Sequence, residues 1–235
     1  MKVNSPQKRL DSFWGEVDKK HARIIQQLMK GKRALDVGCG YGSTVAEISR
    51  GRVDCVGIDT DEMSIRVAKE RFPLLNYLVC GAESLPFEDG YFDVIILRDA
   101  LHHVFRESDF ERVMKEIARV SKSDAQIIFF DPNVNFLLRA MRRISFHRDA
   151  ECDYETAVKI LGVYNYKIVH SSFNTIFSLP LSGGYVGVNF VPNSKVIYAV
   201  LLYTEGILER VITWMGIGRY LCLRYVLVGT KYGSE

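Results

Sequence analysis

A closely spaced set of glycines and two acidic residues marks the chemistry of this chain. Asp36 stands just before the run Gly38-Cys39-Gly40-Tyr41-Gly42, and Asp59 follows about 20 residues further on. Glycines let a backbone approach a ligand closely, and a helix that begins there offers N–H groups without partners. The carboxylate of Asp59 can accept hydrogen bonds from both hydroxyls of a ribose. The pattern therefore indicates a nucleotide-like ligand at the end of an apolar strand.

The position of Asp36 separates two kinds of nucleotide site. A carboxylate beside a pyrophosphate would be repelled, whereas it can hold a cationic group such as an ammonium. The glycine spacing is GxGxG, while dinucleotide-binding sites use GxGxxG. We therefore favour a ligand with a cationic end, with a dinucleotide-binding domain and a purely structural turn as the alternatives.

His102 and His103 are the candidates for proton transfer. They follow the fourth apolar segment, and an imidazole there can act as a general base near neutral pH. A base is required only where the attacking group must lose a proton. The alternative is that the two rings pack and hydrogen-bond in the loop after the fourth strand. Asp99 and His147 are weaker candidates.

These residues stand where apolar strands end. Up to Asn133, strand-like and helix-like segments alternate, which predicts parallel βαβ units with right-handed crossovers and a doubly wound α/β fold. The strands are predicted at Arg33–Val37, Val53–Ile58, Tyr77–Cys80, Phe92–Leu97 and Ala125–Phe130. The helices are predicted over 15–30, from Gly42 to about Arg50, from an N-cap at Asp61 to about Phe72, and over 109–120.

After Asn133 the pattern changes. The sequence predicts a helix at Tyr154–Leu161, a strand at Lys167–Phe173, a loop or loose hairpin at Leu179–Asn193, an amphipathic helix at Val196–Met215 and a last strand at Leu221–Thr230. Three charged residues disfavour a membrane span over that apolar helix: Glu205, Glu209 and Arg210. We interpret 1–235 as a single domain, with a core of about 15–131, 153–175 and 219–231 and cap insertions of about 132–152 and 176–218.

The composition limits the class of partner. The chain has 235 residues, a formal net charge of +3 and a pI of about 8.5, which is too mild to indicate nucleic acid. Five cysteines at irregular spacing favour reduced thiols, and no residue cluster requires a metal. The first residues lack the apolar region of a signal peptide. We therefore expect a small-molecule substrate and a cytoplasmic location.

Four segments, in this order and spacing, resemble the class I S-adenosylmethionine-dependent methyltransferases, within the broad group that includes the ubiquinone and menaquinone C-methyltransferases. The segments are Leu35–Gly42, Val56–Asp59, Ala82–Phe87 with Phe92–Ile95, and Leu101–Val104. The resemblance covers roughly Arg33 to Asp131. It implies a Rossmann-like, mostly parallel seven-stranded sheet with helical caps over the substrate pocket.

The resemblance also implies which residues hold the cofactor. They are, for the methionyl side, Asp36, Gly38, Cys39 and Gly40; for the ribose, Asp59 and Thr60; for the adenine, Ala82 and Glu83; and, facing the centre, Arg98. That family often has Asp where this chain has Gly81. Either Glu83 or a backbone carbonyl must then accept the hydrogen bond from the adenine amino group.

A basic segment follows the fifth strand. If Phe136–Arg148 is helical, four basic residues share one face: Arg139, Arg142, Arg143 and His147. Such a face suits an anionic lipid surface or an anionic head group of a substrate, and the alternative is an ordinary solvated face. Together with the apolar content of Phe173–Trp214, the face indicates a lipid-like acceptor and contact with a membrane surface.

The sequence therefore predicts an enzyme that moves a methyl group from S-adenosylmethionine to an oxygen, nitrogen or carbon atom of a small, apolar or lipid-like molecule, with S-adenosylhomocysteine as product. Methyl transfer from a sulfonium is an in-line displacement, so positioning supplies much of the acceleration. Two alternatives stay open: a non-catalytic partner or sensor protein that binds the same cofactor, and a nucleotide-dependent oxidoreductase. The glycine spacing and Asp36 disfavour the oxidoreductase.

Overall fold

A computed structural model describes residues 11–107, 109–145, 152–183 and 189–232. Within these ranges seven strands form one sheet. The strands are β1 Arg33–Val37, β2 Asp54–Asp59, β3 Asn76–Val79, β4 Phe92–Arg98, β5 Ser121–Pro132, β6 Tyr166–Asn174 and β7 Arg224–Lys231. Their order across the sheet is β3-β2-β1-β4-β5-β7-β6.

The sheet is mostly parallel. Strands β1 to β5 pair in parallel with their neighbours, whereas β7 runs antiparallel to both β5 and β6. Parallel strands need long crossover connections, which are supplied here by helices on the two faces of the sheet. The predicted doubly wound, mostly parallel seven-stranded α/β fold is confirmed.

Ten helices accompany the sheet in the described ranges. They are α1 Phe13–Leu28, α2 Ser43–Ser49, α3 Glu62–Arg71, α4 Leu101–Glu107, α5 Phe110–Val120, α6 Phe136–Ser145, α7 Tyr154–Val163, α8 Ser178–Leu181, α9 Lys195–Trp214 and α10 Gly218–Leu221. Asp61 caps α3 as predicted, because its carboxylate accepts hydrogen bonds from the backbone N–H groups of Met63 and Ser64. Asp109 caps α5 in the same way through Arg112.

The central strands are buried on both faces. Successive side chains of a strand point to opposite sides, so alternate residues enter two different apolar layers. One layer contains Ile95, Leu97, Ile127 and Phe129, and the other contains Val94, Ile96, Ile128 and Phe130. A sheet packed on both sides is rigid, and it fixes the points at which its strands end.

Three predicted boundaries need correction. His102 and His103 lie in the short helix α4, not in a loop after β4. Strand β7 begins at Arg224 and not at Leu221, because Gly218–Leu221 turns as the short helix α10. The stretch Leu179–Asn193 was predicted as a loop or hairpin, but it begins inside the helix α8, and residues 184–188 lie outside the described ranges.

Helix α9 is attached to the rest of the described structure by Glu205. This side chain is completely buried, and its Oε1 accepts hydrogen bonds from the backbone N–H groups of Ile176, Phe177 and Ser178 at 2.8–2.9 Å. Its Oε2 lies 2.7 Å from the ammonium group of Lys20 on α1. In the described part of the chain, none of the helices has the length and apolar content that crossing a membrane requires.

Candidate functional site

A cavity of about 400 Å³ opens at the carboxyl ends of β1, β2 and β4. Strand β1 pairs with both β2 and β4, so the cavity lies where the order of the strands reverses, the usual ligand site of such sheets. Its walls come from four chain segments: Val37 and Gly38; Ile58, Asp59 and Thr60; Cys80, Ala82 and Glu83; and Asp99, Ala100, His103 and Val104.

The cavity brings together part of the predicted site. The predicted residues in its walls are Gly38, Asp59, Thr60, Ala82, Glu83 and His103. Five others lie outside these walls: Asp36, Cys39, Gly40, Arg98 and His102. Asp36, Cys39 and Gly40 are nevertheless neighbours of Gly38 in the chain, at the end of β1.

The glycine turn after β1 has a backbone that other residues adopt poorly. Gly38 and Gly40 have φ angles of +73° and +51°, in the left-handed region. A Cβ added at Gly38 would lie 2.7 Å from the Cβ of Ala100, whereas one added at Gly40 would meet no atom within 4 Å. Gly38 therefore allows close packing onto the start of α4, and Gly40 leaves space beside the turn.

The carboxylate of Asp59 accepts hydrogen bonds from two turns, the glycine turn after β1 and the turn that follows β2. Its Oδ2 accepts a hydrogen bond of 2.8 Å from the N–H of Gly40, and its Oδ1 accepts one of 2.9 Å from the N–H of Asp61. These bonds fix the carboxylate in the cavity wall while leaving further lone pairs on both oxygens. Such a carboxylate is preorganised to accept hydrogen bonds from two vicinal hydroxyls.

Among the described residues, Asp36 is a buried carboxylate without a hydrogen-bond partner. Its side chain is 1% exposed, and neither oxygen has a hydrogen-bond partner among the described residues. Burial raises the pKa of Asp36 to about 7, and the opposing positive charge of Arg98 only partly offsets this effect. Buried carboxylates are normally satisfied, so this one indicates a missing donor or cation beside the glycine turn.

Glu83 occupies the space that a side chain at position 81 would take. A Cβ added to Gly81 would lie 2.6 Å from Oε2 of Glu83. The carboxylate of Glu83 therefore stands close to where an aspartate at position 81 would place its own side chain. Glu83 and Ala82 both line the cavity.

His102 is oriented by a buried aspartate. Both the backbone N–H and the ring Nδ1 of His102 lie 3.1 Å from the carboxylate of Asp131, at the end of β5. Burial raises the pKa of Asp131, and the hydrogen bond from His102 opposes this shift. The ring of His102 packs on that of His103 at a centroid distance of 4.3 Å, and His103 lines the cavity.

Arg98 is bound to α1. Its guanidinium pairs with the carboxylate of Asp18 and donates a hydrogen bond of 3.3 Å to the backbone carbonyl of the same residue. Asp18 also accepts a hydrogen bond from the hydroxyl of Ser43, the first residue of α2. Asp18 therefore ties the end of β4 to the glycine turn.

The structure describes one of the two weaker candidates for proton transfer, Asp99, and does not describe the other, His147. Asp99 lines the cavity with φ of +55° and pairs with the buried guanidinium of Arg224. Burial lowers the pKa of Arg224 to about 9, an effect that the nearby charge of Arg98 increases. His147 lies outside the described residues, and the side chains of Arg142 and Arg143 are not described either.

The chain matches known proteins in the region that builds this site. Residues 35–129 match the family described as "Methyltransferase domain". An uncharacterized methyltransferase, YcgJ, of Bacillus subtilis is 35% identical over 104 residues, which are 42% of this chain and 40% of the relative. Phthiotriol/phenolphthiotriol dimycocerosates methyltransferase 1 of Mycobacterium ulcerans is 31% identical over 115 residues, which are 47% of this chain and 41% of the relative.

A solved structure resembles nearly the whole chain. The structure of an S-adenosylmethionine-dependent methyltransferase from Archaeoglobus fulgidus has a TM-score of 0.65 at 18% identity and covers 92% of this chain and 94% of that one. Residues 35–129 thus match a methyltransferase domain, and the chain shares the fold of that solved structure. It spans about two fifths of the length of the curated relatives that it matches.

S-adenosylmethionine is the cofactor that the resemblance to class I methyltransferases implies, and the residues present fit it. The cofactor has an ammonium group, which matches the partnerless carboxylate of Asp36. Its ribose carries two vicinal hydroxyls, which match the fixed carboxylate of Asp59. The methyltransferase domain thus offers both groups at one end of the sheet, beside the open space at Gly40.

Sequence reasoning missed three residues that support this candidate site. Asp18 stands among other charges on an amphipathic helix, and nothing in its neighbours indicates a partner 80 positions away. Asp131 ends β5 like many strand-terminal aspartates, and only the folded sheet shows that it contacts His102. Arg224 follows an apolar stretch, and its pairing with Asp99 depends on β7 entering the sheet beside β5.

Proposed function

We propose that this chain transfers a methyl group from S-adenosylmethionine to an oxygen, nitrogen or carbon atom of a small, apolar acceptor and releases S-adenosylhomocysteine. The observation that carries the proposal is the buried carboxylate of Asp36 without a partner, next to the glycine turn of a methyltransferase domain. A pyrophosphate would be repelled there, which disfavours a nicotinamide cofactor.

The bound cofactor supplies a methyl group made electrophilic by its sulfonium. In this proposal Asp36 binds the ammonium group of the methionyl portion, and Gly38 and Gly40 let the backbone come close. Asp59 and Thr60 bind the ribose. The residues thus act by positioning, which can supply much of the acceleration of a displacement between two bound reactants.

Glu83 takes the place of the absent aspartate in adenine binding. A Cβ at position 81 would lie 2.6 Å from Oε2 of Glu83. This carboxylate therefore reaches the space that the aspartate of related proteins would fill. We assign it the acceptor role toward the adenine amino group, with Ala82 packing beside it. The longer side chain at position 83 compensates for the missing one at position 81.

His103, which lines the cavity, acts as general base if the acceptor must lose a proton. Its ring packs on that of His102, which lies outside the cavity walls. Asp131 fixes the ring of His102, so this second imidazole supports the base from behind and is oriented by a buried carboxylate. A carbon or hydroxyl acceptor would require the base, whereas an amine that is already deprotonated would not.

One observation supports an apolar acceptor. One relative in the matched region is named as a methyltransferase of phthiotriol and phenolphthiotriol dimycocerosates. The narrower grouping with quinone C-methyltransferases stays a prediction.

Calorimetric titration with S-adenosylmethionine, S-adenosylhomocysteine and NADH tests the cofactor assignment. We expect micromolar binding of both adenosyl ligands, weakened about tenfold or more by Asp36→Asn and by Asp59→Asn, since each loses a hydrogen bond to a charged or fixed group. Asp54→Asn, an exposed change at the other end of β2, is the matched control and should bind normally. Absent adenosyl binding, or tighter binding of NADH, would contradict the proposal.

Transfer of tritiated methyl groups to a panel of apolar and polar acceptors tests turnover. Label in the organic extract supports the apolar acceptor, and label only in aqueous products contradicts it. Adenosyl binding without label in any product would favour the non-catalytic alternative.

A further inference from the structure

Helix α9 exposes a continuous apolar face. Six large residues lie three or four positions apart and are 44–86% exposed: Val196, Val200, Tyr203, Ile207, Val211 and Trp214. Residues at this spacing share one side of a helix, and from first to last they extend over about 27 Å. We call these six residues the outer face of α9.

Rotation of α9 cannot bury its outer face against the rest of the protein. The opposite side of α9 is already packed against the protein through Tyr198, Glu205 and Ile212, which are buried at intervals of seven residues. Glu205 is fixed by three backbone N–H groups and Lys20, and Lys20 also pairs with Glu209 at 2.8 Å. The helix therefore cannot roll to bury its outer face without breaking buried ion pairs.

The charges of α9 are divided between its two sides. Its two acidic residues, Glu205 and Glu209, face inward onto Lys20. Its two basic residues, Lys195 and Arg210, are exposed, and no carboxylate among the described residues pairs with either. The solvent side of this helix thus carries apolar and basic groups and no acid.

The patch continues beyond α9. Met215 and Tyr220 are 48% and 67% exposed, and Leu221 in α10 is 40% exposed. Trp214 and Tyr220 near one end and Tyr203 near the middle are the amphipathic aromatic residues that prefer the boundary between lipid and water. A patch of this size and composition marks a site of contact with a membrane or a protein.

Charge decides between a lipid surface and a second copy of the chain. Two outer faces packed on each other would bring Lys195 and Arg210 of both copies together without any acid on α9 to match them. Anionic lipid head groups supply that opposite charge, and the acyl boundary supplies the apolar contact. We propose that the outer face of α9 docks flat on an anionic membrane surface.

This inference goes beyond methyl transfer and can fail independently of it. Docking would place the protein beside acceptors that reside in the membrane, but lipid binding is measured without cofactor or turnover. The membrane contact that the sequence predicts through Arg139, Arg142 and Arg143 of α6 stays a separate prediction.

Vesicle co-sedimentation of the full chain is the test. We expect binding to phosphatidylcholine vesicles that contain phosphatidylserine, and weak binding to phosphatidylcholine alone. The double variant Tyr203→Glu, Ile207→Glu should lose binding. The pair Leu74→Glu, Val163→Glu adds the same charge at positions that are 95% and 74% exposed on other elements, and should bind as wild type.

Two further measurements test docking even if the variants with added glutamates do not fold. They use substitutions of the basic residues and the fluorescence of Trp214. Lys195→Gln and Arg210→Gln should each lower the vesicle partition coefficient roughly fivefold, the effect of removing one basic residue near an anionic surface. The emission of Trp214, which is 86% exposed, should shift to shorter wavelength on anionic vesicles, and Trp214→Phe should abolish the shift.

Three results would overturn docking on lipid. The first is no binding of the wild-type chain to anionic vesicles. The second is equal loss of binding in the control pair. The third is a dimer in sedimentation velocity that Tyr203→Glu, Ile207→Glu dissociates, without any binding to vesicles, which would identify a second copy as the occupant.

Discussion

At the scale of single residues, Asp36 makes the stability of the unliganded protein depend on pH. Burial raises the pKa of Asp36 to about 7, so the folded protein holds this proton more tightly than the unfolded chain does. The free energy of unfolding contributed by this group therefore falls as the pH rises from about 4 to 7. Asp36→Asn removes that loss.

We expect Asp36→Asn to raise the free energy of unfolding more at pH 8 than at pH 5. Urea unfolding without ligand at the two pH values measures the difference, and Asp54→Asn is an exposed control on β2. The same variant should weaken adenosyl binding, so stability and binding should change in opposite directions. Equal effects at both pH values would mean that the carboxyl group is not protonated in the folded state.

His102 and Asp131 give a second residue-scale prediction. If His103 is the general base and His102 supports it, His103→Gln should lower kcat about 100-fold or more with little change in the KM for S-adenosylmethionine, and His102→Gln should act in the same direction. Asp131→Asn should act in the same direction and alter the acidic limb of the pH profile, because it changes the proton affinity of the ring. His170→Gln, in β6, is the control. Normal kcat in both His102→Gln and His103→Gln would show that positioning alone suffices.

At the scale of elements, the attachment of α9 depends on one buried carboxylate. Glu205→Ala would leave three backbone N–H groups without their acceptor and Lys20 with only Glu209. We expect the free energy of unfolding to fall by about 3 kcal/mol or more. Glu16→Ala removes a partly exposed pair with Lys19, one turn away on the same helix, and should change the free energy of unfolding by less than about 0.5 kcal/mol. Urea unfolding measures both.

The elements of the parallel half could be predicted from sequence because local signals agree there. β1 has its predicted bounds, since an apolar strand runs directly into glycines, and α3 begins at its predicted cap, Asp61. The short helix α4 was missed because nothing near Ala100 marks a helix start. The start of β7 was misplaced because apolar character at 221–223 is shared by the end of α10 and the first buried turn after it.

Sequence predicts only those features of the candidate site that lie close together along the chain. Asp36, Gly38 and Asp59 are found from their neighbours in sequence. The contacts of Asp18 with Arg98, and of Asp131 with His102, join positions 80 and 29 residues apart, and they depend on which strands are adjacent. Local pattern does not contain that information, whereas the order of the strands does.

At the scale of the whole molecule, the cavity couples ligand binding to the stability of the sheet. Its walls come from β1, β2, the segment after β3 and the start of α4, so a bound ligand bridges both sides of β1. At 100 times its Kd, a ligand specific for the folded state adds about 2.7 kcal/mol, which corresponds to a rise in Tm of about 5–10 °C for a chain of this size.

We therefore expect S-adenosylhomocysteine to raise Tm by several degrees in differential scanning calorimetry, and NADH to leave it unchanged. Asp59→Asn should reduce the shift at the same ligand concentration. A comparable shift with NADH would indicate a general nucleotide site instead.

The order of the strands also has a consequence for the synthesis of the protein. β7 lies between β5 and β6, yet it leaves the ribosome after both, about 90 residues behind the end of β5. At 5–20 residues per second, β5 keeps an unpaired edge for about 5–20 s, and β6, which ends about 50 residues before β7 begins, has no neighbour for about 2.5–10 s. An open edge is a template for pairing with other chains, so the nascent protein is most prone to aggregate in this interval. A chaperone that shields extended segments would protect it most just before β7 emerges.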